Sequence, residues 1–363
     1  MFTRRVTSLS IGASLLLGLA GFHPAHAAPF MIVGNDEKVL WDADGKVVLS
    51  PAGKDSVLIV DLANPENPKI VANLPLKNSV VGPPVNVDID PTGSVALVAD
   101  SVDVAKDGDA LKMSLDNKIY VIDMKANPPK LAGTVTGGKQ PSGLSFSPNG
   151  KMALVANRGD NSISVLSVNG TDVKVTDTIA MGDSVSQVVF TPDGKRALAT
   201  KFPAHKLSVL EINGDKVAYN GNAGSSDGSV DTVSVADLDA KPPRFVDRVV
   251  VGDGPEGIAV SPKGNLAATA ILRGSNMKNL FFYQKNGSVS ILRIDGKKVT
   301  KTQDIEVGGL PEAVLFTPDG KYLLVGNYLN SDFSILKVNG TKVTDTGKRF
   351  KVPGHPASAR MGH

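Results

Sequence analysis

The sequence of 363 residues contains no cysteine, one tryptophan, five tyrosines and five histidines. Without cysteine the chain forms no disulfide, thiolate zinc site or iron–sulfur cluster, and it has no thiol nucleophile. Only His205, His355 and His363 lie beyond the N-terminal segment. Three histidines are too few for the haem or copper clusters that need several imidazoles. These absences exclude most metal and redox chemistry.

An excess of charge of one sign is also missing. Lys and Arg number 39 against 36 Asp and Glu, and two of the basic residues, Arg4 and Arg5, belong to the N-terminal segment. The chain therefore lacks the basic surplus that attracts nucleic acid or anionic membranes. Its hydrophobic content of 41% is enough for a sizeable core. We predict a folded protein with neither nucleic acid nor membrane as a partner.

The N-terminal segment has the three parts of an export signal. Arg4 and Arg5 form a positive region, Ile11–Ala20 is a short apolar run, and Ala25-His26-Ala27 is a small-x-small cleavage site. The run is too short and too rich in glycine for a spanning helix. We expect residues 1–27 to be a signal peptide and the mature chain to be periplasmic or secreted.

A turn phrase recurs along the rest of the chain. In it proline presets the backbone, Asp or Asn bonds its own backbone, and glycine takes a positive φ. The five copies are Ile89-Asp90-Pro91-Thr92-Gly93, Phe146-Ser147-Pro148-Asn149-Gly150, Phe190-Thr191-Pro192-Asp193-Gly194, Val260-Ser261-Pro262-Lys263-Gly264 and Phe316-Thr317-Pro318-Asp319-Gly320. Each copy is flanked by short apolar or alternating runs, which predicts a tight hairpin of two strands.

A second hairpin follows several of these turns, with Asn169-Gly170, Asp295-Gly296 or Asn339-Gly340 at its tip. These dipeptides are preferred in two-residue hairpin loops. Each unit is therefore four antiparallel strands, A to D, and helical periodicity is almost absent. Repeated four-stranded units predict an all-β fold, a β-propeller. A sandwich would not repeat its turn phrase, and a helical solenoid would show a 3.6-residue period.

The spacing of the turns indicates a duplication. Pro91 and Pro262 are about 170 residues apart, as are Pro148 and Pro318. We predict one propeller domain, 28–363, made of two three-blade halves at about 28–185 and 186–363. The extra length lies between strands B and C, so the third strand of the fourth blade is expected near Thr232. Six blades are preferred, and seven are the alternative because Leu207–Val251 holds two hairpin-like pieces.

The two ends of the mature chain fit one blade. Phe30–Gly34 has the pattern of a strand B, and the segment that begins at Pro356 has the pattern of a strand A. If the C-terminus supplies strand A beside the N-terminal strand, the ring closes and no sheet edge stays exposed.

A family resemblance rests on these repeats. Pro141–Lys151, followed by Val155–Asn157 and Ser162–Leu166, resembles the YVTN-type β-propeller repeat, and Phe316–Leu336 repeats it with Gly326-Asn327-Tyr328. The resemblance covers nearly all of the mature chain. The family, and the lactonase-like propellers with which it merges, includes lactone hydrolases, binding proteins and surface-layer components. The resemblance therefore implies the fold and leaves the activity open.

In a propeller the starts of strands A and the ends of strands B converge on one face of the ring, where the B–C insertions also rise. Pockets at such mouths are common ligand sites. The alternative is that polar residues there only solvate the ring or cap loops. The predicted ligand-binding residues are Asp100, Gln140, Asn157, Arg158, Lys201, Asn327 and Tyr328.

Two glutamates stand at equivalent positions of neighbouring blades. Glu256 and Glu312 follow Pro255 and Pro311, so we expect them to be within reach of each other. They could serve as an acid–base pair or, with Asn327, hold a divalent cation such as calcium. The alternative is that they accept hydrogen bonds from loop amides.

Two functions follow from these residues. The first is an exported scaffold, monomeric and without a cofactor, that binds a small molecule or a protein at the channel mouth. The second, implied by the lactonase-like resemblance, is a lactone or ester hydrolase. There Glu256 or Glu312 would be the base, with His355 as a further catalytic group, and Arg158 or Arg273 would stabilise the oxyanion. A loop histidine bonded to the backbone is the alternative for His355.

Overall fold

A computed structural model describes residues 29–201, 206–212, 231–241 and 243–362. The predicted signal peptide, His205 and His363 lie outside the described residues. A 3-10 helix covers Tyr328–Asn330. The strands are β1 (Phe30–Asn35), β2 (Val39–Trp41), β3 (Val47–Leu49), β4 (Ser56–Asp61), β5 (Lys69–Leu74), β6 (Val87–Ile89), β7 (Val95–Asp107), β8 (Ala110–Asp123), β9 (Lys130–Thr136), β10 (Pro141–Phe146), β11 (Met152–Asn157), β12 (Ser162–Asn169), β13 (Asp172–Ala180), β14 (Gln187–Phe190), β15 (Arg196–Lys201), β16 (Lys206–Glu211), β17 (Thr232–Asp237), β18 (Arg244–Val250), β19 (Pro255–Val260), β20 (Leu266–Ile271), β21 (Ser288–Asp295), β22 (Lys298–Glu306), β23 (Pro311–Phe316), β24 (Tyr322–Asn327), β25 (Asp332–Asn339), β26 (Lys342–Lys351) and β27 (Pro356–Met361).

The protein is a six-bladed β-propeller. Its blades are the antiparallel sheets β27-β1-β4-β5, β6 to β9, β10 to β13, β14 to β16, β19 to β22 and β23 to β26. Their six innermost strands, β6, β10, β14, β19, β23 and β27, surround the central channel. The predicted fold class is confirmed.

The fourth blade differs from the prediction. Strand β16 pairs with β15, with Thr200 opposite Leu207, so the third strand begins at Lys206 and not near Thr232. The segment from Thr232 instead forms the hairpin β17–β18, a two-stranded sheet of its own. The predicted B–C insertion was wrong. Leu207–Glu211 has the same alternation of apolar and polar residues as other third strands, and it pairs with the edge of β15 in place of the segment from Thr232.

The ring closes as the sequence predicts. Strand β27 pairs with β1, with Val33 opposite Ala359, and β1 pairs on its other side with β4. The C-terminus thus supplies the innermost strand of the first blade, and the edge of β1 is covered.

The repeated phrase forms the turn between the first two strands of a blade. In the third blade the Ser147 amide donates to the Met152 carbonyl, and the hydroxyl of Ser147 accepts from the Met152 amide at 3.0 Å. Gly150 closes the turn at φ 68°, a conformation that favours glycine. Thr191, Ser261 and Thr317 repeat this arrangement in the other blades.

Apolar clusters fill the spaces between blades. One joins Ile32 and Val57 of the first blade to Val87 of the second, and comparable clusters join the second and third, third and fourth, fifth and sixth, and sixth and first blades. The hairpin β17–β18 packs Val249 on Ile271 of the fifth blade. Among the described residues, no such cluster joins this hairpin to the fourth blade. The space between them, called here the seam, is the exception.

Two B–C insertions meet on the face where the innermost strands begin. The Asn279 side chain of the fifth-blade insertion donates to the Asp44 carbonyl beside the β2–β3 hairpin. Trp41 of that hairpin packs edge-on against Tyr328, with ring centres 5.6 Å apart. The insertions therefore cover the mouth at the sixth blade. In the described part of the chain, no helix has the length and apolar character needed to cross a membrane.

Candidate functional site

The two predicted glutamates sit at irregularities of the β ladder. The pairing of β19 with β20 shifts between Pro255 and Ile258, and that of β23 with β24 shifts between Pro311 and Val314. Such bulges redirect a side chain that would otherwise follow the pleat. The third blade has the same shift, and there the equivalent residue is Ser142. The bulge is therefore a repeated feature of the blades, whereas glutamate at this position is particular to the fifth and sixth blades.

Close packing of two innermost strands brings these positions together. A β-carbon on Gly257 would lie 2.1 Å from the Glu312 carbonyl oxygen, so only glycine allows β19 and β23 to approach this far. Glu256 and Glu312 both line one cavity and interact electrostatically. The expectation that the two glutamates are within reach of each other therefore agrees with the geometry.

The cavity occupies about 710 Å³ between β14 and β19 and opens along the seam. Its ionisable lining residues include Glu256 and Glu312 from the innermost strands β19 and β23. Arg158 and Lys201 come from the third and fourth blades, and a backbone strip, Val80–Pro83, comes from the loop before β6. Four of the sequence-predicted site residues thus meet in one place.

Both carboxyl groups are shifted toward the neutral form. Glu312 is 5% exposed, and burial together with the charge of Glu256 raises its pKa well above the usual 4.5. Glu256 stays accessible from the cavity, yet the surrounding protein raises its pKa to about 7, against the lowering effect of Arg158. Among the described residues, no hydrogen bond reaches either carboxyl group. The loop-amide alternative is therefore not the arrangement found.

One cation, Arg158, interacts with the pair, and a second, Lys201, also lines the cavity. Burial lowers the pKa of Arg158, while Glu256 raises it, which indicates that the two charges face each other. The Lys201 ammonium is 7% exposed and lies 3.1 Å from the Asp183 carboxylate. Arg158 can therefore donate hydrogen bonds to a carbonyl or carboxylate oxygen of a ligand, and a neutral glutamic acid can donate one as well.

Sequence reasoning missed the apolar walls. Val189 and Leu198 face the cavity from the fourth blade, Val233 and Phe245 from the hairpin, and Ile258 from β19. Val189, Phe245 and Ile258 are 36%, 37% and 40% exposed, although β-branched and aromatic side chains normally pack between blades. One signal in the sequence could have indicated these walls. Strands β14 and β19 carry apolar residues on both faces, although the fourth blade has only three described strands to cover them.

Arg273 lies elsewhere. It lines a second cavity of about 480 Å³ with Phe282 and Glu306, and its guanidinium is 3.6 Å from the Glu306 carboxylate. Arg273 is therefore not near the glutamate pair. The arginine beside the pair is Arg158.

His355 and Tyr328 belong to the closure of the ring. The His355 Nδ1 lies 2.7 Å from the Tyr328 carbonyl, and the two rings stack with centres 5.0 Å apart. The Tyr328 hydroxyl is buried and donates to the Val39 carbonyl at 2.6 Å. His355 thus has the backbone-bonded arrangement of the alternative interpretation, and neither residue lines the cavity with the glutamates.

Two predicted ligand-binding asparagines hold their own blades together. Asn157 donates to the hydroxyls of Ser162 at 3.0 Å and Ser164 at 2.9 Å. Asn327 donates to Asp332 and Ser334 and accepts from the Gly308 amide at 2.8 Å. Both asparagines are fully buried at the end of a second strand. They link that strand to the third strand of the blade.

Asp100 and Gln140 also lie outside the cavity. The Asp100 carboxylate is buried and accepts from the Tyr120 hydroxyl at 3.0 Å, and burial with nearby Asp116 raises its pKa to about 6. Gln140 adopts φ 54° in the turn before β10, where its carbonyl accepts from the Arg158 amide. Gln140 thereby helps to position Arg158.

The described residues contain no cluster of three His, Asp or Glu side chains that could hold a metal ion. Asn327, the third ligand expected for calcium, uses its amide group within the sixth blade. Calcium binding by Glu256 and Glu312 stays a prediction.

Comparison with known proteins places the chain among propellers. The family model of the choice-of-anchor I domain matches residues 37–169. No curated protein matches the chain. A structure from Bacteroides fragilis provisionally named 6-phosphogluconolactonase is 19% identical, with a TM-score of 0.67 over 92% of this chain and 98% of that one. The periplasmic gluconolactonase of Pseudomonas aeruginosa is 16% identical, with a TM-score of 0.64 over 92% and 99%. At these identities the likeness shows a shared lactonase-like propeller fold.

Proposed function

We propose that this propeller binds a small organic molecule with a carbonyl or carboxyl group in the cavity between its fourth and fifth blades. The observation that carries the proposal is Glu312, which is buried, lines the cavity and has no hydrogen-bond partner among the described residues. The Glu312 side chain lines the cavity, so a bound ligand can supply the hydrogen bond that the described protein groups do not.

The size and enclosure of the cavity favour a small molecule over a protein ligand. A volume of about 710 Å³ is in the range of ligand pockets and is bounded by side chains of four blades and the hairpin. Arg158 can donate hydrogen bonds to a negative or polarised oxygen, and Glu312 in its neutral form can donate one to the same oxygen. A protein partner at the channel mouth stays the alternative within the scaffold function.

A titration experiment tests this function. Isothermal titration calorimetry would compare gluconolactone, gluconate, short alkanoic acids and γ-lactones as probes of the wild type and Glu312→Gln. Glu306→Gln is the matched control, because Glu306 is exposed in the second cavity. We expect at least one probe to bind and the Glu312 variant to lose tenfold or more in affinity. Equal affinity in both variants, or no binding by any probe, would overturn the proposal.

Lactone or ester hydrolysis is the second candidate, favoured by the raised pKa values of two adjacent carboxyl groups. Glu256, beside Arg158, would be the carboxylate and remove a proton from water as the water oxygen attacks the carbonyl carbon. Arg158 would stabilise the resulting oxyanion. When the acyl–oxygen bond breaks, protonated Glu312 would give its proton to the ring oxygen. A proton transfer from Glu256 to Glu312 restores the pair, and the product is the hydroxy acid.

Binding and hydrolysis are distinguished by whether the bound lactone is converted to its hydroxy acid. A pH-stat assay with the lactones that bind would detect acid release, and the names of the Bacteroides and Pseudomonas proteins make gluconolactone the first substrate to test. Binding without acid release would leave the binding function and exclude hydrolysis of the lactones tested.

Export of the chain is part of the same proposal, supported by the signal-like residues 1–27 and the YVTN-type repeat pattern. Expression of the full chain in a Gram-negative host, with cell fractionation and N-terminal sequencing, tests it. We expect a periplasmic protein that begins at Ala28. Cytoplasmic protein with Met1 retained would contradict the proposal.

A further inference from the structure

The seam has an unusual pattern of packing. Around the rest of the ring, apolar side chains of neighbouring blades interlock. In the seam the hairpin β17–β18 covers the outer part of the fifth blade, and the cavity separates β14 from β19. Among the described residues, the hairpin is hydrogen-bonded to the fourth blade through Arg196, which donates to the Leu238 carbonyl at 2.6 Å.

The side chains that line the seam include apolar residues of the kind that normally fill a protein core. Along β14, Val188 and Phe190 enter the cluster shared with the third blade, so Val189 points to the opposite face, into the cavity. Along β15 the same alternation points Leu198 into the cavity. From the hairpin, Phe245 faces these residues across the cavity. Displacement of water from such an apolar surface by hydrocarbon lowers the free energy and therefore favours binding.

The cavity lining combines one charged cluster with apolar side chains. Glu256 interacts electrostatically with both Glu312 and Arg158, whereas Lys201 is paired with Asp183. Val189, Leu198, Phe245 and Ile258 supply apolar surface, and Thr200, Thr232 and Ser234 also line the cavity. A molecule with one polar head and a hydrocarbon tail can place its head at the charged cluster and bury its chain against the apolar side chains.

We infer that the ligand is an amphiphile, a medium-chain fatty acid or an alkyl-substituted lactone, whose carbonyl end meets Arg158 and Glu312 and whose hydrocarbon chain lies in the seam. This inference rests on the proposed binding function and specifies its ligand class. The charged cluster of Glu256, Glu312 and Arg158, and the exposed Val189, Phe245 and Ile258, carry it.

A chain-length series tests the inference. Isothermal titration calorimetry with alkanoic acids and γ-lactones of four, six, eight and ten carbons would measure affinity against length. We expect a gain of about three- to fourfold for each added methylene, the value for burial of a CH₂ group, until the seam is full. Affinity that is the same at every length, or highest for gluconolactone, would overturn the inference and leave the binding function intact. If no probe binds, the binding function itself fails.

Variants separate the two ends of the site. Leu198→Asn should flatten the dependence on chain length, while Leu131→Asn, an exposed leucine on the outer strand of the second blade, should leave it unchanged. Glu312→Gln should lower the affinity of every member by a similar factor and keep the slope. Val189→Thr, which preserves shape and strand propensity, is the second variant if Leu198→Asn does not fold. An unchanged slope in the folded seam variant would contradict the placement of the chain.

Discussion

The closure of the ring and the cavity between the fourth and fifth blades both contain buried ionisable groups, but Lys38 at the closure and Glu312 in the cavity differ in their partners. At the closure the Lys38 ammonium, fully buried, lies 2.5 Å from Asp55 and 3.4 Å from Asp36 and donates to the Asn78 carbonyl. In the cavity the Glu312 side chain is almost as buried and has no hydrogen bond among the described residues. The difference teaches that a buried charge with a complete set of partners is part of the architecture, and one without them marks a site.

The largest expected effect is at the closure. Burial alone would lower the pKa of Lys38, but Asp36 and Asp55 outweigh it and raise the pKa, so the lysine is charged. Lys38→Met removes the cation and leaves two buried carboxylates unpaired, which should cost about 3 to 5 kcal/mol of the free energy of unfolding. Urea unfolding measures this. Lys174→Met, an exposed lysine paired with Asp172, is the control and should cost about 1 kcal/mol or less. Equal losses would contradict the comparison.

The next effect concerns the approach of the two glutamates. Gly257→Ala places a β-carbon against the Glu312 carbonyl, so β19 and β23 must separate. We expect a loss of about 1 to 3 kcal/mol in the free energy of unfolding, together with weaker ligand binding. Gly133→Ala, in a strand with open space around it, is the matched control and should change stability little. Unchanged stability and affinity in Gly257→Ala would show that the close approach is not required.

A smaller effect tests the unpartnered carboxyl group. The pKa of Glu312 is raised in the folded protein, so the unfolded chain releases this proton first, and folding stability falls as pH rises from about 4.5 through the folded pKa. Glu312→Gln cannot ionise, so it should equal the wild type in stability at pH 4 and exceed it at pH 8. Thermal unfolding against pH measures this difference, with Glu306→Gln as the control. A pH-independent difference between variant and wild type would refute the shifted pKa.

The smallest effect is expected in the second cavity. Arg273→Gln breaks a partly exposed ion pair with Glu306, which should cost about 0.5 kcal/mol or less in the free energy of unfolding and leave affinity at the first cavity unchanged. Chemical unfolding and calorimetry measure both quantities. Loss of ligand binding in this variant would show that Arg273 contributes to the binding site, and would contradict the assignment of Arg158 alone to it.

Much of the fold could be predicted because its signals are local. The Pro-x-Gly turns and the Asn-Gly hairpin tips specify backbone conformations within four residues, and Gly150 at φ 68° and Gly170 at φ 57° adopt them. The fourth blade could not be predicted in the same way. Leu207–Glu211 and Thr232–Asp237 both have strand patterns, and only the competition for the edge of β15 decides which one pairs there.

The amino-acid sequence by itself determined the repeated blades, the shared first blade and the two adjacent glutamates, because turn chemistry and a two-residue alternation are properties of short segments. Tertiary structure alone decided that Arg158 and not Arg273 faces the glutamates, that Asn157 and Asn327 hold their blades together, and that a cavity lies beside β14. Those features depend on which surfaces meet across the ring, and residues far apart in the chain compete for each contact.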